Sequence, residues 1–358
     1  MSERSVYDRT KAVLDYFKPA VRCRPLSTPA SHVFPQPVRR TATVERKDAC
    51  PCGSVKKYKK CGGKGWPMAM NLDSKVGQAA QAINAADALL ISAGAGMGVD
   101  SGLLDFRGVQ GFWRAYPAIA KLGLSFEELA KRTWFSENPH LAWAFYGHRL
   151  NLYRKTTPHQ GFSQLLELGR SKVHGYFGLT SNVDGQFQRV GFAADRVVEC
   201  HGSINHFQCA ASCTDEIWDA DSEAVNLDGI TFRAQEPLPK CRHCSALARP
   251  NILMFNDWSW LGHRTDAQQV CFAAWLNGLA KSSAHLAVIE LGAGSAIATV
   301  RQTSERVVER IGGKLIRINP REHDVPDGQI GLPFWAAEGV RRICHCTENS
   351  ARESKPCD

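Results

Sequence analysis

The 358-residue chain has no apolar run approaching the roughly 20 residues that cross a bilayer as a helix, which excludes a helical membrane protein. Its opening stretch, MSERSVYDRTKAVLDYFKPA, lacks the apolar centre of a secretion signal. No internal repeat is present, so solenoids and propellers are excluded. Acidic residues are scarce at the N-terminal end: residues 1–70 hold five Asp or Glu against fifteen Lys or Arg, a balance of +10. The rest of the chain stands at −1, so the net +9 belongs to the N-terminal segment. Such a segment suits nucleic acid or another acidic partner, or serves only as a solvated tail. Cysteine, by contrast, is plentiful, at thirteen residues. Most fall in short-spaced pairs in a chain without a secretion signal, which favours metal ligation in a reducing, cytoplasmic setting over disulfides.

Composition changes along the chain. Residues 3–18 can form an amphipathic helix with Val6, Val13, Leu14 and Phe17 apolar. Residues 19–47 carry Pro19, Pro25, Pro29, Pro35 and Pro37 among Ser, Thr and Arg, a linker composition. The expected organisation is a basic segment at 1–48, a small cysteine motif at 49–66 and a larger domain at 71–358. Within that domain ALLISAG, VHGYFGLTSN, RVVEC, HLAVIELGAG and KLIRINP read as short buried strands separated by helices. Repeated βα units predict an α/β fold, a doubly wound, Rossmann-like parallel sheet.

Three places carry chemistry. The run ALLISAGAGMG places Gly94, Ala95 and Gly96 directly after a strand. A bare backbone there lets a nucleotide approach the N–H groups, or simply makes a tight turn. TSNVDG at 180–185 sets Asn182 and Asp184 at another strand end, as site residues or as a β-turn. His201 follows the strand RVVEC and precedes Gly202. Its imidazole titrates near neutral pH and can accept a proton, although a lone histidine is often structural.

SGLLDFR at 101–107, after Gly-Ala-Gly, resembles the sirtuin signature Ser-Gly-Ile-Pro-Asp-Phe-Arg. The similarity continues in order through TSNVDG, ECHG at 199–202, ARPNILMF at 248–255, LGAGSAIATV at 291–300 and RIN at 317–319. The resemblance implies an NAD-dependent protein-lysine deacylase acting on acylated protein or peptide. It makes His201 the general base, with Asn182 at the nicotinamide ribose and Asp184, beside Ser181 and Val183, at the carboxamide. Gly94, Ala95, Gly96, Asp105, Phe106 and Arg107 would hold NAD. The second loop, Gly292, Ala293, Gly294 and Ser295, would take adenosine and phosphate, and Asn319 the adenosine ribose. ARPNILMF would supply a peptide groove, with Met254 and Phe255 along the lysine stem. Where the family has Ser, Pro and Gln, this chain has Gly98, Leu104 and Ser181; Gln186 and Phe187 replace Leu-His, and Ala293 and Gly294 replace Thr-Ser. Those departures keep two alternatives open: an NAD glycohydrolase or ADP-ribosyltransferase, and a non-catalytic NAD-binding or nucleic-acid-binding module.

Cys209 and Cys213, then Cys241 and Cys244 after 27 residues, have the spacing of a tetrahedral structural Zn²⁺ site. The module is expected at about 203–250, with His206 and His243 as substitute ligands. CPCGSVKKYKKCGG at 50–63 resembles the SEC-C zinc motif, with Cys50, Cys52 and Cys61 as ligands and Gly62 where a fourth is usual. Cys23 is a candidate remote ligand, and the surrounding lysines suit docking to an acidic partner.

Overall fold

The computed structural model describes residues 66–104, 113 and 116–353. The expected N-terminal helix, the SEC-C-like ligands Cys50, Cys52 and Cys61, and the candidate Cys23 lie outside the described residues, as do Asp105, Phe106 and Arg107.

Among the described residues the eleven strands are β1 (Ala88–Ala93), β2 (Tyr176–Thr180), β3 (Val197–Glu199), β4 (Gly202–Cys209), β5 (Trp218–Asp219), β6 (Leu227–Asp228), β7 (Arg233–Ala234), β8 (Ala248–Ile252), β9 (Leu286–Leu291), β10 (Lys314–Ile318) and β11 (Ile330–Leu332). The long helices are α1 (Trp66–Asn84), α2 (Pro139–Lys155), α3 (Gln160–Arg170), α4 (His263–Ser282), α5 (Thr299–Ile311) and α6 (Ala336–Glu353). Six strands form one sheet in the order β11-β10-β9-β1-β2-β3, every pairing parallel.

Both faces of this sheet are covered, and the strand sequences show why. Successive side chains alternate faces. Leu89 and Ile91 of β1, Ile289 of β9 and Ile316 of β10 turn toward α1, α3 and α6, where Ile83, Phe162, Leu165 and Val340 are buried. Leu90, Val288, Leu315 and Phe177 turn the other way, onto Phe272 and Leu276 of α4 and Val307 of α5. An alternating pattern with one polar face cannot satisfy two covers, so the strands read as continuous apolar runs. All five expected strands are present. The sixth, Ile330–Leu332, is three residues long and gave no pattern to read.

A second core lies between α2, the small antiparallel sheet β5-β4-β8 and the β6–β7 hairpin, around Trp143, Phe145, Phe207 and Trp218. Pro139 starts α2, and the Asn138 side chain caps it by accepting from the Leu141 amide. This smaller unit hangs from the parallel sheet at β3–β4, so β4 connects the end of the main sheet to the cysteine pairs.

Strand order reverses at β1: the chain moves to β2 and β3 on one side and returns at β9 on the other. In an open parallel sheet the crevice at the carboxyl ends of the two strands flanking such a reversal is where ligands bind. Here those ends carry the two glycine loops.

Candidate functional site

The loop after β1 and the loop after β9 are packed backbone against backbone. The Gly94 amide donates to the Leu291 carbonyl at 2.9 Å, and the Gly96 amide to the Gly292 carbonyl at 3.0 Å. A Cβ on Gly94 would lie 2.6 Å from Ala293 Cα, and one on Gly292, where φ is +59°, 2.4 Å from the Gly96 carbonyl carbon. These glycines are therefore required by the approach of the loops to each other. What remains for a ligand is the outer surface of the pair, where Ala95 and Ser295 are exposed and Gly294 partly so.

The β2 loop is tied to the same place. Thr180 Oγ1 donates to the Ala93 carbonyl and accepts from the Asn182 amide. Asn182 Nδ2 donates to the Gly94 carbonyl at 3.1 Å. Asp184 is buried and accepts from the Gln186 amide at 3.0 Å across Gly185, whose φ is +71°. Burial, with some help from the nearby Glu199 carboxylate, pushes the Asp184 carboxyl up to about 6, against the pull of Arg149. Val183 is buried, and its carbonyl accepts from the Ile204 amide.

His201 stands between β3 and β4. Its carbonyl accepts from the Leu253 amide at 3.0 Å, which fixes the backbone. Burial lowers the imidazole below its ordinary 6.5, and a hydrogen bond to the Ser181 backbone opposes that shift. The ring thus reaches the residue next to Asn182. Gly202 has φ +78°, and a Cβ there would lie 2.1 Å from the Asn251 carbonyl oxygen, so β4 meets β8 closely just after His201. Glu199, on the same strand end, is held by Arg264 at 2.6 Å and does not face the loop freely.

The structure brings His201, Ser181, Asn182 and Asp184 together beside Gly94–Gly98. The second loop holds a residue that sequence reading missed. The Glu322 carboxylate accepts from the Ser295 amide at 3.3 Å and from the Ser295 hydroxyl. Asn319 is buried; its Nδ2 donates to the Ala293 carbonyl, and its Oδ1 accepts from the amides of Arg321 and Glu322. Asn319 thus shapes the turn that delivers Glu322. The only sequence signal was an acid three residues after that asparagine. Near Asp184, Tyr153 and Arg149 were also missed: Arg149 Nε donates to the Tyr153 hydroxyl at 2.9 Å inside an aromatic box.

β8 is the edge of its sheet and leaves one backbone side unpaired by strands. The amides of Leu253 and Phe255 are already donated, to His201 and Ala130. Met254 is packed in the smaller core, and the half-exposed Phe255 ring lies edge-on to Phe126, 6.4 Å between centroids.

The Sγ atoms of Cys209, Cys213, Cys241 and Cys244 all lie within 4.8 Å of one another. Cys209 to Cys244 is 3.7 Å and Cys213 to Cys241 is 3.6 Å. Zn–S bonds of about 2.3 Å in a tetrahedron place sulfurs roughly 3.8 Å apart, so the four thiols fit that ion. Burial opposes ionisation of Cys241, yet the Cys244 and His243 backbone and the neighbouring thiols hold it down at about 6. The substitutes His206 and His243 pair with Asp219 and Glu216 instead.

Fold and site together define a doubly wound α/β protein with two glycine turns at its switch point and a four-thiol insert. The Sir2 family model matches residues 94–266, and that of the SEC-C motif residues 46–61. Over residues 94–266 the chain is similar to the Sir2 family. An NAD-dependent protein deacylase of Aquifex aeolicus is 28% identical over 251 residues, covering 70% of this chain and 91% of that protein. One from Thermococcus kodakarensis is 33% identical over 182 residues, covering 51% of this chain and 65% of that protein, just under two thirds of its length. Among solved structures, a Sir2 homolog–NAD complex superposes with a TM-score of 0.56 at 25% identity, covering 76% of this chain and 93% of that one.

Proposed function

We propose that the chain is an NAD-dependent protein-lysine deacylase, giving nicotinamide, O-acyl-ADP-ribose and free lysine. The observation that carries this reading is the continuous contact from His201 through Ser181 and Asn182 to Gly94, at the switch point of a Sir2-like sheet. The relatives from Aquifex and Thermococcus are named NAD-dependent protein deacylases.

Bound NAD supplies an ADP-ribosyl group that accepts the acyl oxygen as nicotinamide departs. In this reading Asn182, fixed by Gly94, orients the ribose. Asp184 meets the carboxamide: a carboxyl titrating at about 6 is mostly ionised at neutral pH and accepts from an amide NH₂. His201, its pKa depressed, is neutral at pH 7 and takes a proton from a ribose hydroxyl. Ser295 and Glu322 lie at the adenosine end, where a carboxylate suits ribose hydroxyls better than phosphate oxygens. The residues Asp105, Phe106 and Arg107 remain assigned to NAD on sequence likeness. The four cysteines would hold a structural Zn²⁺, closed to substrate because all four positions are protein thiols. Among the described residues no helix is long and apolar enough to cross a membrane. A four-thiol cluster suits the reducing cytoplasm. The basic segment and SEC-C motif are assigned to recruitment of an acidic partner.

Mass spectrometry of the products from NAD and a panel of acyl-lysine peptides tests the reading. O-acyl-ADP-ribose is expected, and His201→Ala should lower its formation at least a thousandfold while the variant stays folded. Free ADP-ribose as the sole product, or ADP-ribosylated protein, would move the chain to the glycohydrolase or transferase alternative.

A further inference from the structure

Gln186 stands where the resembled signature has Leu, and it is 1% exposed. Its side chain crosses from the β2 loop to the end of the first glycine loop. Its Oε1 accepts from the Ser101 hydroxyl at 2.7 Å, and Ser101 Oγ in turn accepts from the His159 amide at 3.0 Å. His159 Nε2 donates to the Met97 carbonyl at 3.1 Å, so the start of α3 and the loop after β1 share this anchor.

The backbone of the same residue sets a carboxylate. The Gln186 amide donates to Asp184 Oδ1 at 3.0 Å across Gly185, whose φ is +71°. Such a turn ties the direction of the Asp184 carboxyl to the position of residue 186. That position is fixed in turn by the bond from Ser101.

The other end of the amide is costly. Gln186 Nε2 is buried against Gly98, where a Cβ would lie 3.2 Å from it, and finds no hydrogen-bond partner among the described residues. Sealed from solvent, it faces no ligand. A buried donor without an acceptor destabilises the fold, and an apolar side chain of the same length would avoid that loss. Ser101 is partly exposed, so its hydroxyl would find water instead. Stability alone therefore favours an apolar residue at 186, and what the amide adds is the link to Ser101.

We propose that Gln186 is a positioning residue: through Ser101 it holds the Asp184 carboxyl against the first glycine loop, and so sets how tightly the pocket grips the nicotinamide carboxamide. The inference rests on the assignment of Asp184 to nicotinamide, and so on NAD cleavage, which the deacylase reading shares with the glycohydrolase and transferase alternatives.

The test is inhibition of NAD cleavage by added nicotinamide in the full chain, read as ADP-ribosyl product, beside the urea unfolding midpoint. Gln186→Met keeps the length and removes the acceptor. It should raise the inhibition constant about three- to tenfold, the worth of one hydrogen bond, with the midpoint unchanged or higher. Ser101→Ala, at a partly exposed position, should raise it by a similar factor, and the double variant no further. Ser101→Thr keeps the hydroxyl and should hold the original constant. An inhibition constant unmoved in both Gln186→Met and Ser101→Ala overturns the proposal, as does a double variant whose effects simply multiply. A midpoint that falls in Gln186→Met while the constant stays put shows a structural role only, and also overturns it. A chain that cleaves NAD with those results loses the role of Gln186 alone; a chain that cleaves no NAD loses the functional reading, and this role with it.

Discussion

Asp184 and His201 are displaced from their ordinary titration in opposite directions by the same cause, burial at a strand end. For Asp184 the raised value is a folding cost. The folded state prefers the proton, so stability is greatest below the unfolded value of 3.8 and declines as pH rises through about 6. Asp184→Asn should therefore stabilise the chain at pH 7.5 by on the order of 2–3 kcal/mol. Denaturant titration should show that gain vanishing toward about pH 4, where both forms are neutral. For the proposed base His201 the neutral form would take the proton, and burial holds its value below 6.5. Deacylation should hold its rate at neutral pH and fall on the acid side. A kcat/KM profile with an acid midpoint above about 7 contradicts the neutral base. Gly292→Ala tests the loop contact: with φ at +59° and a Cβ 2.4 Å from Gly96, we expect a loss of roughly 2 kcal/mol or more. Unfolding and NAD titration read both consequences, and an unchanged protein removes the packing role given to that glycine. At this scale His201, Asn182 and Asp184 could be proposed in advance, because they follow apolar strands and fall on the motifs that resemble the sirtuin signature. Glu322 and Arg149 could not, since each acts through a turn or helix whose placement no local spacing reveals.

Between elements, β9 and β10 are joined by a buried ionic clasp. Arg317 Nε and Nη2 donate to Glu290 at 2.5 and 3.1 Å, and Nη2 also reaches Glu305 at 2.7 Å. Removing one partner strands a charge in the sheet. Arg317→Met should cost about 3–5 kcal/mol, and Arg317→Met with Glu290→Leu should recover most of it. A double-mutant cycle in urea checks this, and an additive double loss would show that the pair is not coupled. The cysteine hairpins are tied together by four thiols, at and after the end of β4 and before β8. Chelation should release the zinc of this module, expose its four thiols and lower the unfolding midpoint. A chain with no bound zinc and unaltered midpoint after chelation ends that assignment. Five parallel strands were legible because burial on both faces makes each an uninterrupted apolar run. β11 was not, because Ile330-Gly331-Leu332 lies between Gln329 and Pro333 and offers only two apolar side chains.

For the molecule as a whole, the decisive feature is the reversal of strand order at β1. It sets the loops after β1, β2, β3 and β9 around one crevice, although they are spread over about 200 residues of chain. If the basic segment and cysteine motif before residue 66 serve recruitment, as proposed, a chain beginning at residue 66 should turn over a free acyl-peptide at an unchanged rate. A large loss of kcat would place part of that segment in the catalytic machinery. The amino-acid sequence by itself determined the α/β class, the glycine turns, the cysteine pairs and the candidate base, because strand burial, turn chemistry and thiol spacing are local properties written in neighbouring residues. Only the tertiary structure decided that the glycines are spent on each other, that Glu322 fills the second loop, and that Gln186 meets Ser101. Those facts depend on contacts between distant segments, and no short pattern encodes which segments meet.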